Sequence, residues 1–361
     1  MIFVIELLVM DGLKEALLYE KMADNKVHCL LCPWNCRIAQ GKGGFCGVRQ
    51  NIDGKLYTLI YGKVSSIAAD PIEKKPLFHF YPGTLALSLG TYGCNMRCGH
   101  CQNWQISHVV MVKGVEQGKT YSVEREPVTE NISPERLIEL AKETGSRGIA
   151  WTYNEPTIWF EYAYDGAILA KKAGLYTVWV TNGYITPEAL DTIGPYLDAF
   201  RVDVKGFTSD FYFKLAKIKD FKPVLEAAER AKKKWNMHVE IITLVIPTMN
   251  DDDEQLKGIA NWMVEKLGPE TPWHVTRFMP YLEYSHLPPT PVETLEKARK
   301  IGFEAGLQFV YIGNVPGHKG ENTYCPKCQK LLIERVGYET EIKHVAAGKC
   351  AFCGTDLNLR S

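Results

Sequence analysis

Cys94, Cys98 and Cys101 fall within eight residues of one another in the stretch GCNMRCGHCQNW. Three thiolates at this spacing can grip one metal centre from one side. An iron–sulfur cube is normally held by four thiolates, so three leave one iron without a protein ligand. An open coordination position marks a centre that binds and transforms a small molecule, because a closed one only holds structure.

The chain has eleven cysteines, grouped four, three and four. An odd total in Cys-x-x-Cys style spacings, without secretory context, argues for metal binding over a disulfide framework. In CLLCPWNCRIAQGKGGFC, four thiols (Cys29, Cys32, Cys36 and Cys46) are brought into reach of one centre by a turn at Gly41, Gly43 and Gly44. Zinc and iron both accept four sulfurs, so spacing alone leaves a lobe-folding zinc and an auxiliary iron–sulfur cluster open. In the tail, Cys325, Cys328, Cys350 and Cys353 form two Cys-x-x-Cys turns joined by the hairpin-like KLLIERVGYETEIKHV. This paired-knuckle pattern predicts a closed, structural zinc site.

The elements that must position the central cysteines run from about Thr84 to Val315, where extended apolar runs alternate with amphipathic helical ones. That order belongs to a parallel sheet wrapped in crossover helices. The predicted strands are Thr84 to Leu89, Gly148 to Thr152, Tyr176 to Val180, Ala199 to Lys205, His238 to Ile246 and His274 to Phe278, with Phe309 to Ile312 a short seventh. Ser133 before Pro134 and Thr186 before Pro187 read as helix starts. Six units are too few for the closed eight-stranded barrel. The expected fold is α/β: a partial (β/α)6 TIM-like barrel with N-terminal and C-terminal cysteine-rich metal-binding lobes, divided as residues 1–80, 81–315 and 316–361.

Chemistry on such a barrel sits at the carboxyl ends of the strands, and those ends carry polar residues. TYNEP offers Asn154 and Glu155 as acceptors for an ammonium group, and VTNGY offers Asn182. In AFRVDVKGF the alternation turns Arg201, Asp203 and Lys205 toward one face, which must be the lumen if helices cover the other. Isolated charges there need partners, so Asp203 and Lys205 are either functional or an internal ion pair. His238, Glu240, His274 and Arg277 are weaker lumen candidates, expected at the rim or in solvent, with His274 balanced between the two readings.

Cys-x-x-x-Cys-x-x-Cys after the first strand of a partial barrel resembles the radical S-adenosylmethionine (SAM) superfamily. More narrowly, LCPWNC, DPIEKKPLFHF, GCNMRCGHCQNW, TYNEPT, TNGY and GENTYCPKC together resemble the AmmeMemoRadiSam-system radical SAM proteins, relatives of the pyruvate formate-lyase activating enzyme. The resemblance covers nearly the whole chain from about His28. It implies a [4Fe-4S] cluster on Cys94, Cys98 and Cys101 whose open iron takes S-adenosyl-L-methionine, reductive cleavage to a 5′-deoxyadenosyl radical, and an electron-donating flavodoxin or ferredoxin. It further implies that TYNEP and Asn182 contact the cofactor, and that Asp203 and Lys205 match an Asp-x-Lys element reaching its ribose and carboxylate. His100 departs from the pattern by replacing a commonly aromatic neighbour of the adenine. It can stack or hydrogen-bond there, or serve as an ordinary loop histidine.

The remaining composition narrows function without naming a substrate. Forty-two basic and forty-two acidic residues cancel, so no overall field selects nucleic acid or an anionic membrane. Lys26 to Lys63 is locally basic, with six Lys or Arg against Asp53. MIFVIELLVM is ten residues long and carries Glu6, too short for a membrane span and without the flanks of a signal peptide. The expected location is the cytoplasm. Hydrogen abstraction from a protein or peptide, as in an activase, is the first reading because an open barrel admits a polypeptide loop. An RNA-modifying enzyme is the second, weakened by the absence of an interleaved basic and aromatic stripe. A non-enzymatic metal scaffold is the third and leaves the open three-cysteine site unexplained.

Overall fold

A computed structural model describes residues 13–109 and 127–361, with the backbone of 115–116 and 119–120. The opening apolar segment, residues 1–10, lies outside the described residues. One eight-stranded sheet organises the chain: β1 (Ser66–Pro71), β2 (Leu85–Gly90), β3 (Gly148–Trp151), β4 (Tyr176–Thr181), β5 (Ala199–Asp203), β6 (His238–Val245), β7 (Trp273–Arg277) and β8 (Val310–Gly313). The spatial order is the chain order; β2 to β8 run parallel, and β1 pairs antiparallel with β2. β1 and β8 are edges that do not pair with each other, so the barrel is partial. Its parallel strands number seven: the short one at Val310 is a full member. β1 went unforeseen because SIAADP carries an acid and ends in proline, which only an edge strand or strand terminus accommodates.

The inner strands read GIAW and YTVWVT because both their faces are covered. The crossover helices are α1 (Pro134–Glu143), α2 (Phe160–Lys172), α3 (Pro187–Ile193), α4 (Ser209–Ala216), α5 (Lys222–Lys233), α6 (Asp253–Trp262) and α7 (Val292–Ala305). Ser133 and Thr186 cap α1 and α3 as expected, their hydroxyls accepting from the Arg136 and Ala189 amides. Leu137, Ile138 and Ala141 of α1 are buried, while Leu140 of the predicted stripe is only half-buried.

A plug fills the lumen floor. Glu240, fully buried, accepts from His238 Nε2 (2.9 Å), His274 Nε2 (2.6 Å), and the amides of Phe78 (3.1 Å) and His79 (2.8 Å). His238 and Glu240 are therefore internal and not at the rim or in solvent, because the segment after β1 folds back under the barrel and supplies donors. Arg277 donates from Nε to the Thr290 carbonyl. The tail docks onto this floor: Arg335 donates to the Phe78 carbonyl (2.9 Å), and His79 Nδ1 meets the Leu357 carbonyl (2.7 Å). Its hairpin, Leu331–Val336 with Glu339–Ile342, pairs antiparallel as the sequence implied. Among the described residues no helix is long and apolar enough to cross a membrane.

Candidate active site

The cysteine loop leaves β2 at Gly90, where a Cβ would lie 2.8 Å from the Thr152 carbonyl oxygen. At Gly93 the backbone turns through φ +88°, and a Cβ would lie 2.7 Å from Val48 Cγ1. Glycine satisfies both demands. Asn154 clamps the loop, its Oδ1 accepting from the Thr91 amide and its Nδ2 donating to the Gly93 carbonyl, each at 3.0 Å. The sequence offered Asn154 as an acceptor for a ligand; each end of its amide makes one bond to the loop, and the residue still lines the cavity. Asn182 reaches the same loop from β4: its Nδ2 donates to Asn95 Oδ1 (2.8 Å) and lies 3.7 Å from Cys94 Sγ.

Cys94, Cys98 and Cys101 line one wall of a cavity of about 480 Å³ at the carboxyl ends of the strands. His100, Asn154, Glu155, Asn182, Asp203 and Lys205 also line it, so all nine predicted site residues meet in one place. Glu155 is 2% exposed and accepts from Thr181 Oγ1 (2.7 Å) and the Thr157 amide (3.0 Å) on one oxygen, and from the Asn182 amide (2.8 Å) on the other. Burial raises its pKa above the usual range, against the pull of these donors. A carboxylate has about four acceptor positions, so three donors leave about one vacant. His100 is buried and its Nδ1 has no partner among the described residues. Burial, then the Lys205 charge, drives its pKa down to about 3 and keeps the ring neutral.

Asp203 sits between two cations: Arg201 bonds one oxygen and Lys205 Nζ the other at 3.0 Å. Burial would raise the Asp203 carboxyl, but the two cations outweigh it and hold it below the usual range. Arg201 was visible in the polar row of β5 but had been given no role.

A second set of cavity residues was missed. Lys74 and Lys75 follow β1, and both bond Asp70, at 2.9 and 2.7 Å, as does the Tyr153 hydroxyl at 2.7 Å. Burial lowers the Lys75 pKa to about 8 despite Asp70. Lys74 and Lys75 beyond one sheet edge, Asn314 beyond the other, and Tyr338 of the tail hairpin all line the cavity, so it reaches the open side of the barrel. The adjacent lysines of IEKKP carried the signal, but nothing in the sequence says that the chain folds back onto the sheet edge.

The radical SAM superfamily pattern matches residues 88–258, which span the cysteine loop and the cavity-lining ends of β3, β4 and β5. The protein named Uncharacterized protein MJ0808 of Methanocaldococcus jannaschii is 45% identical over 349 residues, 96% of this chain and 99% of that one. This chain belongs to the radical SAM superfamily. A second protein of that organism, provisionally named glycyl-radical enzyme activating enzyme MJ1632, is 24% identical over 235 residues, 63% of this chain and 79% of its own. A domain of pyruvate-formate lyase-activating enzyme from Bacteroides vulgatus ATCC 8482 aligns over 46% of this chain and 99% of its own, with 18% identity and a TM-score of 0.40. The family implies a [4Fe-4S] cluster and S-adenosylmethionine.

Proposed function

We propose that this radical SAM protein abstracts hydrogen from a protein or peptide, as an activating enzyme does. The observation carrying the reading is the cavity in which Cys94, Cys98 and Cys101 face Glu155, Asn182 and the Arg201–Asp203–Lys205 row. Its residues fit the family's cofactors. Three thiols, one short of the closed tail quartet, line the cavity and leave room beside them for a further ligand. His100 Nδ1 is an orphaned buried polar atom beside them, open to a nucleotide partner.

When bound, the cluster supplies the electron that cleaves S-adenosylmethionine to a 5′-deoxyadenosyl radical. The protein binds, orients and shields. Cys94, Cys98 and Cys101 hold the cluster, and the Asn182 amide donates toward Cys94. Glu155 offers its vacant acceptor position to the cofactor's ammonium group, with its other oxygen sites saturated so that it cannot rotate away. Lys205 and Asp203, locked by Arg201, face the cofactor's carboxylate and ribose. The cavity's extension to the open barrel edge at Lys74, Lys75 and Tyr338 supports entry of a polypeptide loop from that side.

The tail quartet is proposed as a zinc site. Cys325 and Cys353 Sγ lie 3.5 Å apart and Cys328 and Cys350 Sγ 3.7 Å apart, close to the roughly 3.8 Å edge of a tetrahedron with 2.3 Å metal–sulfur bonds. A cytoplasmic location is proposed from the eleven cysteines grouped as metal-ligand sets. Residues 1–80, 81–315 and 316–361 are proposed as three functional units, with β1 a contribution of the first unit to the central sheet. Anaerobically reconstituted protein, given dithionite and S-adenosylmethionine, is expected to release 5′-deoxyadenosine, and Cys98→Ser to abolish it. A substrate protein carrying deuterium at the reacting carbon should pass it to the deoxyadenosine. Release without transfer from any polypeptide, but with transfer from RNA, would replace the peptide reading.

A further inference from the structure

The four thiols of the first lobe differ from those of the tail. The tail sulfurs converge within 4.8 Å, and among the described residues Cys29, Cys32, Cys36 and Cys46 do not converge in this way. They are nevertheless carried on one tightly connected set of turns. The Cys29 amide donates to the Cys36 carbonyl (2.9 Å), a Cβ at Gly44 would lie 3.7 Å from Cys36 Sγ, and Trp34 stacks on Phe45 beside Cys46. The wider spacing sets these four thiols apart from the closed tail quartet.

Arg49 is the independent sign of what the lobe holds. It is 1% exposed, three residues after Cys46, and bonds Glu161 through Nη2, while its Nε and Nη1 have no partner among the described residues. Its carbonyl accepts from the Gly44 amide at 3.0 Å, which fixes Arg49 against the turn that carries Cys46. Two buried donors without acceptors are costly, and an anionic sulfur-rich group between Cys29 and Cys46 would supply the acceptors.

The lobe also touches the catalytic loop directly. Trp34 Nε1 donates to the Asn95 carbonyl at 2.7 Å. Arg97 donates from Nη2 to the Phe45 carbonyl (2.7 Å) and from Nη1 to the Cys94 carbonyl (2.6 Å), joining the neighbour of Cys46 to a ligand of the open centre through one guanidinium. A Cβ at Gly93 would lie 3.1 Å from the Cys46 carbonyl oxygen.

We propose that Cys29, Cys32, Cys36 and Cys46 hold a second [4Fe-4S] cluster, compensated by Arg49, that relays single electrons to the cluster at Cys94, Cys98 and Cys101. The relay half rests on the radical SAM reading above. One electron from a reduced flavodoxin or ferredoxin takes the lobe cluster from the 2+ to the 1+ state. Its return to 2+ reduces the open cluster from 2+ to 1+, with no bond or proton changed.

The test uses the full chain, reconstituted anaerobically with iron and sulfide. Wild type is expected to bind about eight irons and the Cys94→Ala/Cys98→Ala/Cys101→Ala variant about four, the latter still giving the electron paramagnetic resonance signal of a reduced cluster. That variant leaves the lobe untouched, so lobe misfolding cannot imitate the result. About four irons in wild type with none in the variant, or zinc on the lobe, overturns the cluster. For the relay, Cys29→Ala/Cys32→Ala/Cys36→Ala should lose flavodoxin-driven S-adenosylmethionine cleavage at least tenfold more than dithionite-driven cleavage; equal losses overturn it. If wild type binds the irons yet cleaves nothing, the radical SAM reading fails while the second cluster stands.

Discussion

Replacing Glu155 by Gln tests the cofactor cradle, because the carboxylate's acceptor sites are almost fully assigned. One oxygen takes Thr181 Oγ1 and the Thr157 amide, and the other takes the Asn182 amide, leaving about one position for the ammonium group of the cofactor. Gln removes the charge and turns one oxygen into a donor. Placed on either side, its NH₂ confronts at least one protein N–H or O–H in a site 2% exposed. A hydrogen bond to a charged group is worth about 1.5–3 kcal/mol, so affinity for S-adenosylmethionine should fall about 10- to 150-fold. The unsatisfied buried donor should cost the fold a further 1–3 kcal/mol or so. Equilibrium dialysis of labelled S-adenosylmethionine against reconstituted protein reads the first quantity, and urea melts read the second. Because burial raises the Glu155 pKa, wild-type affinity should begin to weaken at a pH above the ordinary carboxylate range, and E155Q should lack that limb. Affinity within about twofold of wild type would mean that Glu155 merely caps its neighbours, and the cradle assignment would be wrong.

Four further outcomes follow from the same geometry. Asn154→Ala removes both bonds that clamp the cysteine loop, and should reduce iron retained after gel filtration while leaving the tail zinc content unchanged. Asp203→Asn leaves Arg201 and Lys205 as facing, uncompensated cations; a loss of S-adenosylmethionine binding of at least tenfold is expected by dialysis, and unchanged binding would reduce the row to an internal ion pair. Chelating the tail metal should lower the melting temperature of the whole chain, because Arg335 and Leu357 hold Phe78 and His79 under the barrel; a separate early transition of the tail alone would contradict this. Acid should destabilise the protein between about pH 6.5 and 3. Burial, opposed by Glu240, holds the His79 pKa down to about 3, so the unfolded chain takes up a proton that the folded one refuses, and stability drops as pH falls, by about 1.4 kcal/mol per unit from this ring. Denaturation midpoints at stepped pH, compared with those of His79→Phe, check the slope.

The sheet and the cavity wall were legible because they follow from local periodicities. Near-continuous apolar runs mark strands buried on both faces, and polar residues just after Trp151, Thr181 and Val202 have no reason to interrupt such runs except at the mouth of a barrel. Residue type, however, does not distinguish holding from binding. Asn154 and Glu155 are adjacent and equally polar, yet one holds the cysteine loop through backbone groups 61 and 63 positions away while the other gathers donors from residues after β3 and β4. The Asp70–Lys75–Tyr153 cluster needs the chain to reverse after Pro71, and the Glu240 plug needs Phe78 and His79 to lie beneath β6. Both depend on contacts distant in sequence, for which spacing carries no signal.

The two four-cysteine lobes also sit at opposite ends of the barrel, and this separates their roles more sharply than their spacings do. The tail bonds segments that precede strands: Arg360 reaches Asn236 before β6, and Asn358 reaches the Glu270 carbonyl before β7. The first lobe bonds segments that follow strands: Trp34 and Phe45 meet the loop after β2, and the Leu30 carbonyl accepts from Thr186 after β4. The tail cysteines thus pack with Phe78, Phe309 and Tyr311 on the floor side, and only the hairpin tip at Tyr338 reaches the cavity, whereas the first lobe lies against the cysteine loop across single hydrogen bonds. Charge points the same way, since Arg49, whose Nη2 is held by Glu161 in a pair 1% exposed on each side, keeps Nε and Nη1 unpartnered among the described residues. A fixed buried cation favours the reduced, more negative state of a redox centre, while a zinc ion that never changes charge has no reduced state to favour. Replacing Arg49 by Lys keeps the charge but removes the forked donors, so the lobe cluster's potential should shift less in R49K than in R49Q; equal shifts would show that hydrogen bonds, and not charge, set it.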